Sequence, residues 1–157
     1  MTEIWPEHLP VGAIRFARPT GRFDDVLAFY REDLGLPVIA SWRDHDGYDG
    51  AVFGLPGAAA QMEITQHGSP PRVPEPDPEN QLVLYLRGAD ARDTIAARLM
   101  ERGHRPVEAA NPYWTRYGAV LFQDPDGWMV VLAPWVFGQE PAPTPSPGRA
   151  GPPDRRP

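Results

Sequence analysis

Along residues 11–18 apolar and polar side chains alternate with the period of a half-buried strand, and Pro19-Thr20-Gly21 ends the alternation. Val26, Leu27, Phe29, Tyr30 and Leu34 then recur at helical spacing before Gly35, which predicts a helix with a glycine stop. Residues 37–43, 51–55 and 61–66 read as three further strands, parted by the turn-rich run from Asp44 to Gly50 and by Pro56-Gly57. The same order then returns. Residues 81–87 predict a strand, and Asp90 caps a helix reaching Arg102, which buries Ile95, Leu99 and Met100 and stops at Gly103. Three strands follow, near residues 104–108, 118–123 and 128–133, the last two joined by Asp124-Pro125-Asp126-Gly127.

The return is in register. Gly35 and Gly103 lie 68 positions apart, as do Gly50 and Gly118. At that offset Ile14 and Phe16 fall on Leu82 and Leu84, Leu27 on Ile95, Val52 on Val120, and Ile64 on Leu132. A repeat of this length is a whole supersecondary module whose one-sided sheet needs a partner to cover it.

Composition narrows the setting. A chain of 157 residues that is 41% hydrophobic supports one core, so one domain is expected. Its formal charge of −6 speaks against nucleic acid and anionic membrane as partners and leaves small molecules and other proteins. With no cysteine there is no disulfide, thiolate metal site or thiol nucleophile. The N-terminus has no basic region followed by an apolar stretch, and the longest apolar run, residues 128–137, is half a membrane span and contains Pro134. A cytoplasmic protein is expected. Of the 21 prolines, seven fall in residues 139–157 and five in 70–78. The first group predicts a disordered Pro-rich tail over residues 138–157, and the second an extended linker over 68–79.

Several segments resemble the vicinal oxygen chelate (VOC) superfamily, which includes glyoxalase I, bleomycin-resistance proteins and extradiol dioxygenases. They are Leu27-Ala28-Phe29-Tyr30 with Leu34-Gly35-Leu36, Gln61-Met62-Glu63-Ile64-Thr65, and the run from Gly118 to Gly127. Residues 15–20 and 45–50 also resemble a YycE-like branch of that superfamily, for which no reaction is established. The resemblance implies an α+β fold in which two βαβββ modules form a cupped mixed β-sheet, the glyoxalase/bleomycin resistance/dihydroxybiphenyl dioxygenase fold. The VOC domain would span residues 11–137, with module one at 11–67 and module two at 80–137. It further implies a homodimer, since the apolar rims of such sheets complete one another across a two-fold axis.

In metal-dependent members, four ligands enter the cup from the first and last strand of each module. Matching that pattern puts the last-strand positions at Glu63 and Val131, and the first-strand positions at Gln81 and, by the 68-residue offset, Ala13. Two apolar side chains cannot donate to a metal, so no metal or other cofactor is expected; a divalent ion held by Glu63 with His67 and His45 is the alternative.

Glu63 is the candidate catalytic residue. Its neighbours Met62 and Ile64 face the covering helix while it faces the cup, where the resemblance makes Arg15 its natural partner. It is either half of a fixed ion pair or a general base beside an anion anchor. Alternation adds Gln61, Gln81 and Tyr85 to a polar floor, and Trp42, His45, Tyr48, Asn111 and Trp114, with Tyr113, are candidate walls or ordinary core residues. His104, in a helix-to-strand turn, reads as surface structure. No phosphate-binding glycine loop or nucleophile elbow is present. Four functions remain in view: a metal-free protein that binds a small oxygenated or aromatic molecule, a metal-free lyase or isomerase using Glu63, a metal-dependent lyase, isomerase or dioxygenase, and an interaction module whose cup is filled by side chains.

Overall fold

The structure is a computed structural model of the chain, and its described residues are 7–69 and 72–144. The first module is β1 (Ile14–Pro19), α1 (Phe23–Ala28, running on through a π-helical turn, Phe29–Asp33), β2 (Val38–His45), β3 (Tyr48–Gly54) and β4 (Ala60–His67). The second is β5 (Gln81–Tyr85), α2 (Ala89–Glu101), α3 (Pro112–Arg116), β6 (Val120–Gln123) and β7 (Met129–Ala133). One sheet has the order β1-β4-β3-β2 and the other β5-β7-β6, with β1 parallel to β4 and β5 parallel to β7. The architecture is therefore the expected α+β fold of two modules with one topology. Among the described residues no helix is long and apolar enough to cross a membrane.

Several details depart from the sequence pattern. The strand expected at residues 104–108 shrinks to one bridge, Val107 to Leu121. Pro106 has no N–H to extend it, and the chain turns into α3 instead, starting at Asn111-Pro112. In the other direction, the turn expected over residues 44–50 tightens to Asp46-Gly47, whose positive φ angles of 52° and 79° make a two-residue hairpin that draws His45 and Tyr48 into strands. In α2 the first residue is Ala89, so Asp90 lies in the first turn rather than at the cap, and Met100 is exposed beyond the edge of the Ala96–Leu99 stripe.

The helix-facing sides of both sheets share one core. Phe29, Tyr30, Phe53, Met62 and Ile64 pack with Leu99, Phe122, Val130 and Leu132. Within this layer Arg18 pairs with Asp124 and, at 3.2 Å, with Asp126, and the Tyr30 hydroxyl donates to Asp124 Oδ2 at 2.7 Å. Burial pushes the Asp124 carboxyl and the Tyr30 phenol above their ordinary values. The guanidinium also faces the Tyr30 and Trp128 rings. His104 joins the modules too: its Nε2 lies 2.7 Å from Asp33 Oδ2 and its ring meets Phe29 edge-on. That contact replaces the surface position expected for His104.

The linker packs against the fold at Gly127, where an added Cβ would come within 3.0 Å of Pro76. The first residues of the expected tail are tied to α3, with Tyr113 donating to Glu140 and Thr144 N to the Arg116 carbonyl at 2.9 Å. Its continuation, residues 145–157, lies outside the described residues.

Candidate functional site

Strand alternation fixes which side chains leave the helix layer. On β4, Met62 and Ile64 enter the core, so Gln61, Glu63, Thr65 and His67 stand on the opposite, open face. The parallel register sets Arg15 beside Gln61 and Ala17 beside Glu63. From there Arg15 Nη1 donates to Glu63 Oε2 at 2.8 Å and its Nε to Gln61 Oε1 at 2.9 Å. Gln61 in turn donates to the Ala58 carbonyl at 2.7 Å, which fixes its amide. The expected Arg15–Glu63 pair therefore exists. Ile14 and Phe16, the apolar positions of β1, are open, Phe16 at 73% exposure, because β1 ends its sheet beside a cavity.

The antiparallel register with β3 sets Val52 beside Glu63, Gly50 beside Thr65 and Tyr48 beside His67. The Tyr48 and His67 rings stack with centroids 4.2 Å apart. Trp42, from β2, lies across Gly50, where an added Cβ would sit 2.1 Å from its Cζ2, so only glycine admits the indole. His45 ends β2 with its side chain in solvent, 3.9 Å from Asp46. At the rim, the Asp44 N–H and Arg43 hold the Asp49 carboxyl below the usual range. The first sheet thus gathers Arg15, Gln61, Glu63, Trp42 and Tyr48, and adds Thr65 and His67.

The other candidates lie on the second module. Gln81 donates to the Pro78 carbonyl at 2.9 Å, and Tyr85 is partly exposed at the end of β5. Asn111 is the N-cap of α3, its Oδ1 accepting from Tyr113 N at 3.0 Å, with Pro112 in the first turn. Trp114 is buried with Trp135 over Leu121, Met129, Val131 and Ala133. The face that is open in module one is filled in module two. The Asn-Pro cap was the signal for α3, and the strand pattern around it masked that signal.

The registers also correct the metal positions. With Glu63 matched to Val131, the pairings of Ala17 with Glu63 and Val83 with Val131 put Arg15, not Ala13, opposite Gln81. Ala13 precedes β1. A guanidinium and a valine at two of four positions do not suit a divalent ion, and among the described residues no three His, Asp or Glu side chains gather to hold one.

Arg15 is 47% exposed and Glu63 13%, so solvent screens their attraction. A double-mutant cycle on Arg15→Ala and Glu63→Ala, read by urea unfolding, is expected to show a non-zero coupling below ~1 kcal/mol. Strict additivity would mean that the two do not meet in solution.

Residues 14–65 match the YycE-like N-terminal domain and residues 79–134 the YycE-like C-terminal domain. The chain is 43% identical over 119 residues to the uncharacterized protein YycE of Bacillus subtilis, covering 76% of this chain and 85% of that one. A crystal structure of a B. subtilis YycE protein of unknown function, described as a candidate glyoxalase/fosfomycin resistance protein, is similar at TM-score 0.77 and 37% identity over 92% of this chain and 97% of that one. The fosfomycin resistance protein FosX from Mesorhizobium loti shares the fold at TM-score 0.62 and 11% identity, over 83% of this chain and 96% of that one.

Proposed function

The chain belongs to the YycE-like family of the VOC superfamily, and on that premise we propose that it binds a small oxygenated or aromatic molecule on the open face of its first sheet, without a resident metal. The observation that carries this reading is the placement of Glu63, held by Arg15 and set in a row of hydrogen-bonding side chains flanked by Trp42 and Tyr48. Aromatic walls over a polar floor suit a flat or oxygen-bearing ligand. The donor set supports the metal-free part, since Arg15 and Val131 occupy positions that would have to ligate.

One observation favours catalysis as a second reading. Arg15 engages Oε2 of Glu63, and among the described residues Oε1 accepts no hydrogen bond. That oxygen is free to take a proton from a bound substrate, which is the role of a general base in a lyase or isomerase.

The same proposal includes a homodimer. β1 and β5 each end their sheets, and the apolar cavity of about 1100 Å3 between them, lined by Ile14, Phe16, Leu82 and Leu84, is a surface that a second copy would cover. Native mass spectrometry of freshly purified protein tests these parts together. The expected spectrum shows a dimer with no stoichiometric metal and a retained small molecule; one tightly held divalent ion per chain, lost in Glu63→Ala, would overturn the metal-free reading.

A further inference from the structure

We propose that the far end of the open face is an oxyanion pocket, built to hold the carboxylate or phosphate group of a small ligand. A cavity of about 350 Å3 lies where β1 and β4 end, lined by Thr20, Tyr48, Thr65, His67 and Arg72 among others. Thr65 and His67 follow Glu63 on the same face of β4, with Tyr48 paired to His67 from β3. The inference therefore rests on the open face being the ligand surface, and it assigns a charge to one end of the ligand.

The chemistry of the lining is one-sided. A guanidinium, an imidazole and three hydroxyls can all donate hydrogen bonds, and among the described residues no carboxylate lines the cavity, in a chain with 21 acidic residues. Elsewhere in the first module Arg15 is matched to Glu63, Arg18 to Asp124 and Asp126, and Arg43 to Asp24 and Asp49. Among the described residues Arg72 has neither an ion pair nor a hydrogen bond, and the side chains of Thr65 and His67 make no hydrogen bond. Thr20 is fully buried, and its hydroxyl accepts from Arg22 N at 3.0 Å, which leaves its own proton to donate.

The donors are also held in place. His67 is stacked on Tyr48, and the Asp46-Gly47 hairpin closes over it: a Cβ at Gly47, whose φ of 79° already favours glycine, would lie 3.4 Å from the imidazole. Arg72 comes from the linker between the modules, so that segment carries a cation to the edge of the first sheet. Fixed donors around an unmatched guanidinium suit an anion with two or three oxygens.

Titration of the full chain with inorganic phosphate and, separately, with benzoate, followed by amide NMR shifts, tests the pocket. Saturable binding of at least one anion is expected, weakened at least about tenfold by Arg72→Ala and by His67→Gln and unchanged by Arg105→Ala. Binding of phosphate alone supports a phosphate-type ligand, and of benzoate alone a carboxylate-type one. Absence of saturable binding by either anion, or affinities that Arg72→Ala and His67→Gln leave unchanged, would overturn the proposal. Anion binding lost in Arg15→Ala but kept in Arg72→Ala would overturn this pocket while leaving the open-face reading standing. Anion binding that depends on Arg72 supports the pocket even where a neutral aromatic probe fails to touch Trp42 and Glu63, the result that would defeat the broader reading.

Discussion

Replacing Arg18 with alanine is expected to destabilise the fold by about 3–5 kcal/mol, the range for removing one partner of a buried ion pair. Arg18 has a side-chain exposure of 17%, and Asp124, its partner from the other module, 0%. Asp124 also accepts from Tyr30, from Asp126 N at 2.9 Å and from Trp128 N at 3.0 Å, so one carboxylate orders the β6–β7 turn and docks it on β1 and α1. Without Arg18 that carboxylate keeps its hydrogen bonds but loses its counter-charge. Tyr30→Phe removes one bond to the charged group and should cost less, roughly 1.5–3 kcal/mol.

The Arg18→Ala loss should shrink in acid. Burial already raises the Asp124 pKa above its unfolded value, and losing the cation raises it further. A group raised in the folded state favours folding below its unfolded pKa and disfavours it as pH rises through the folded one, so acidification restores part of the variant's stability relative to the parent. Urea unfolding of parent and variant at neutral pH and near the ordinary carboxylate pKa measures both effects. A loss below ~1 kcal/mol at neutral pH would show that the pair is solvated and does not lock the modules.

Trp114→Ala should cost a similar ~3–5 kcal/mol, by a different route. Trp114 is 9% exposed and packs with Trp135 and Tyr113 over the outer face of β6 and β7. Truncation removes the main contact of α3 and leaves a void lined by Leu121, Met129 and Val131. Because those residues are on the second sheet, ligand binding at the first should survive wherever the variant remains folded. Trp42→Ala is the counterpart on the first sheet: Trp42 lies across Gly50 from the edge strand β2 and is half-buried, so its loss should weaken binding more than stability. A Trp114→Ala variant of nearly parental stability would mean that α3 does not seal the second face.

Alternation made the two faces of β4 legible from sequence, because a two-residue period survives any error at strand ends, while the meeting of Glu63 and Arg15 also needed the family resemblance, which makes the first and last strands of a module neighbours. The same property hid the register. A slip of two residues leaves every side chain on its face, so alternation does not distinguish the 68-residue offset, which sets Ala13 opposite Gln81, from the pairings of Ala17 and Val83, which set Arg15 there. The asymmetry of the modules was written in Asn111-Pro112, a cap followed by a first-turn proline, but alternation around Val107 argued for a strand. Arg18 and Asp124 are 106 residues apart, and nothing local marks either as the other's partner. Arg72 was legible only as part of a proline-rich linker, since its place in a cavity that no carboxylate lines among the described residues is a property of the folded surface.

The central claim is that the first sheet, and not the second, presents the ligand surface. An amide chemical-shift map with a panel of small oxygenated aromatic probes tests it most directly. The expected perturbations cluster at Arg15, Trp42, Tyr48 and residues 61–67 and disappear in Glu63→Gln, while Tyr113, Trp114 and Trp135 stay silent. Perturbations centred on α3 and β7, or none on the first sheet for any probe, would contradict it.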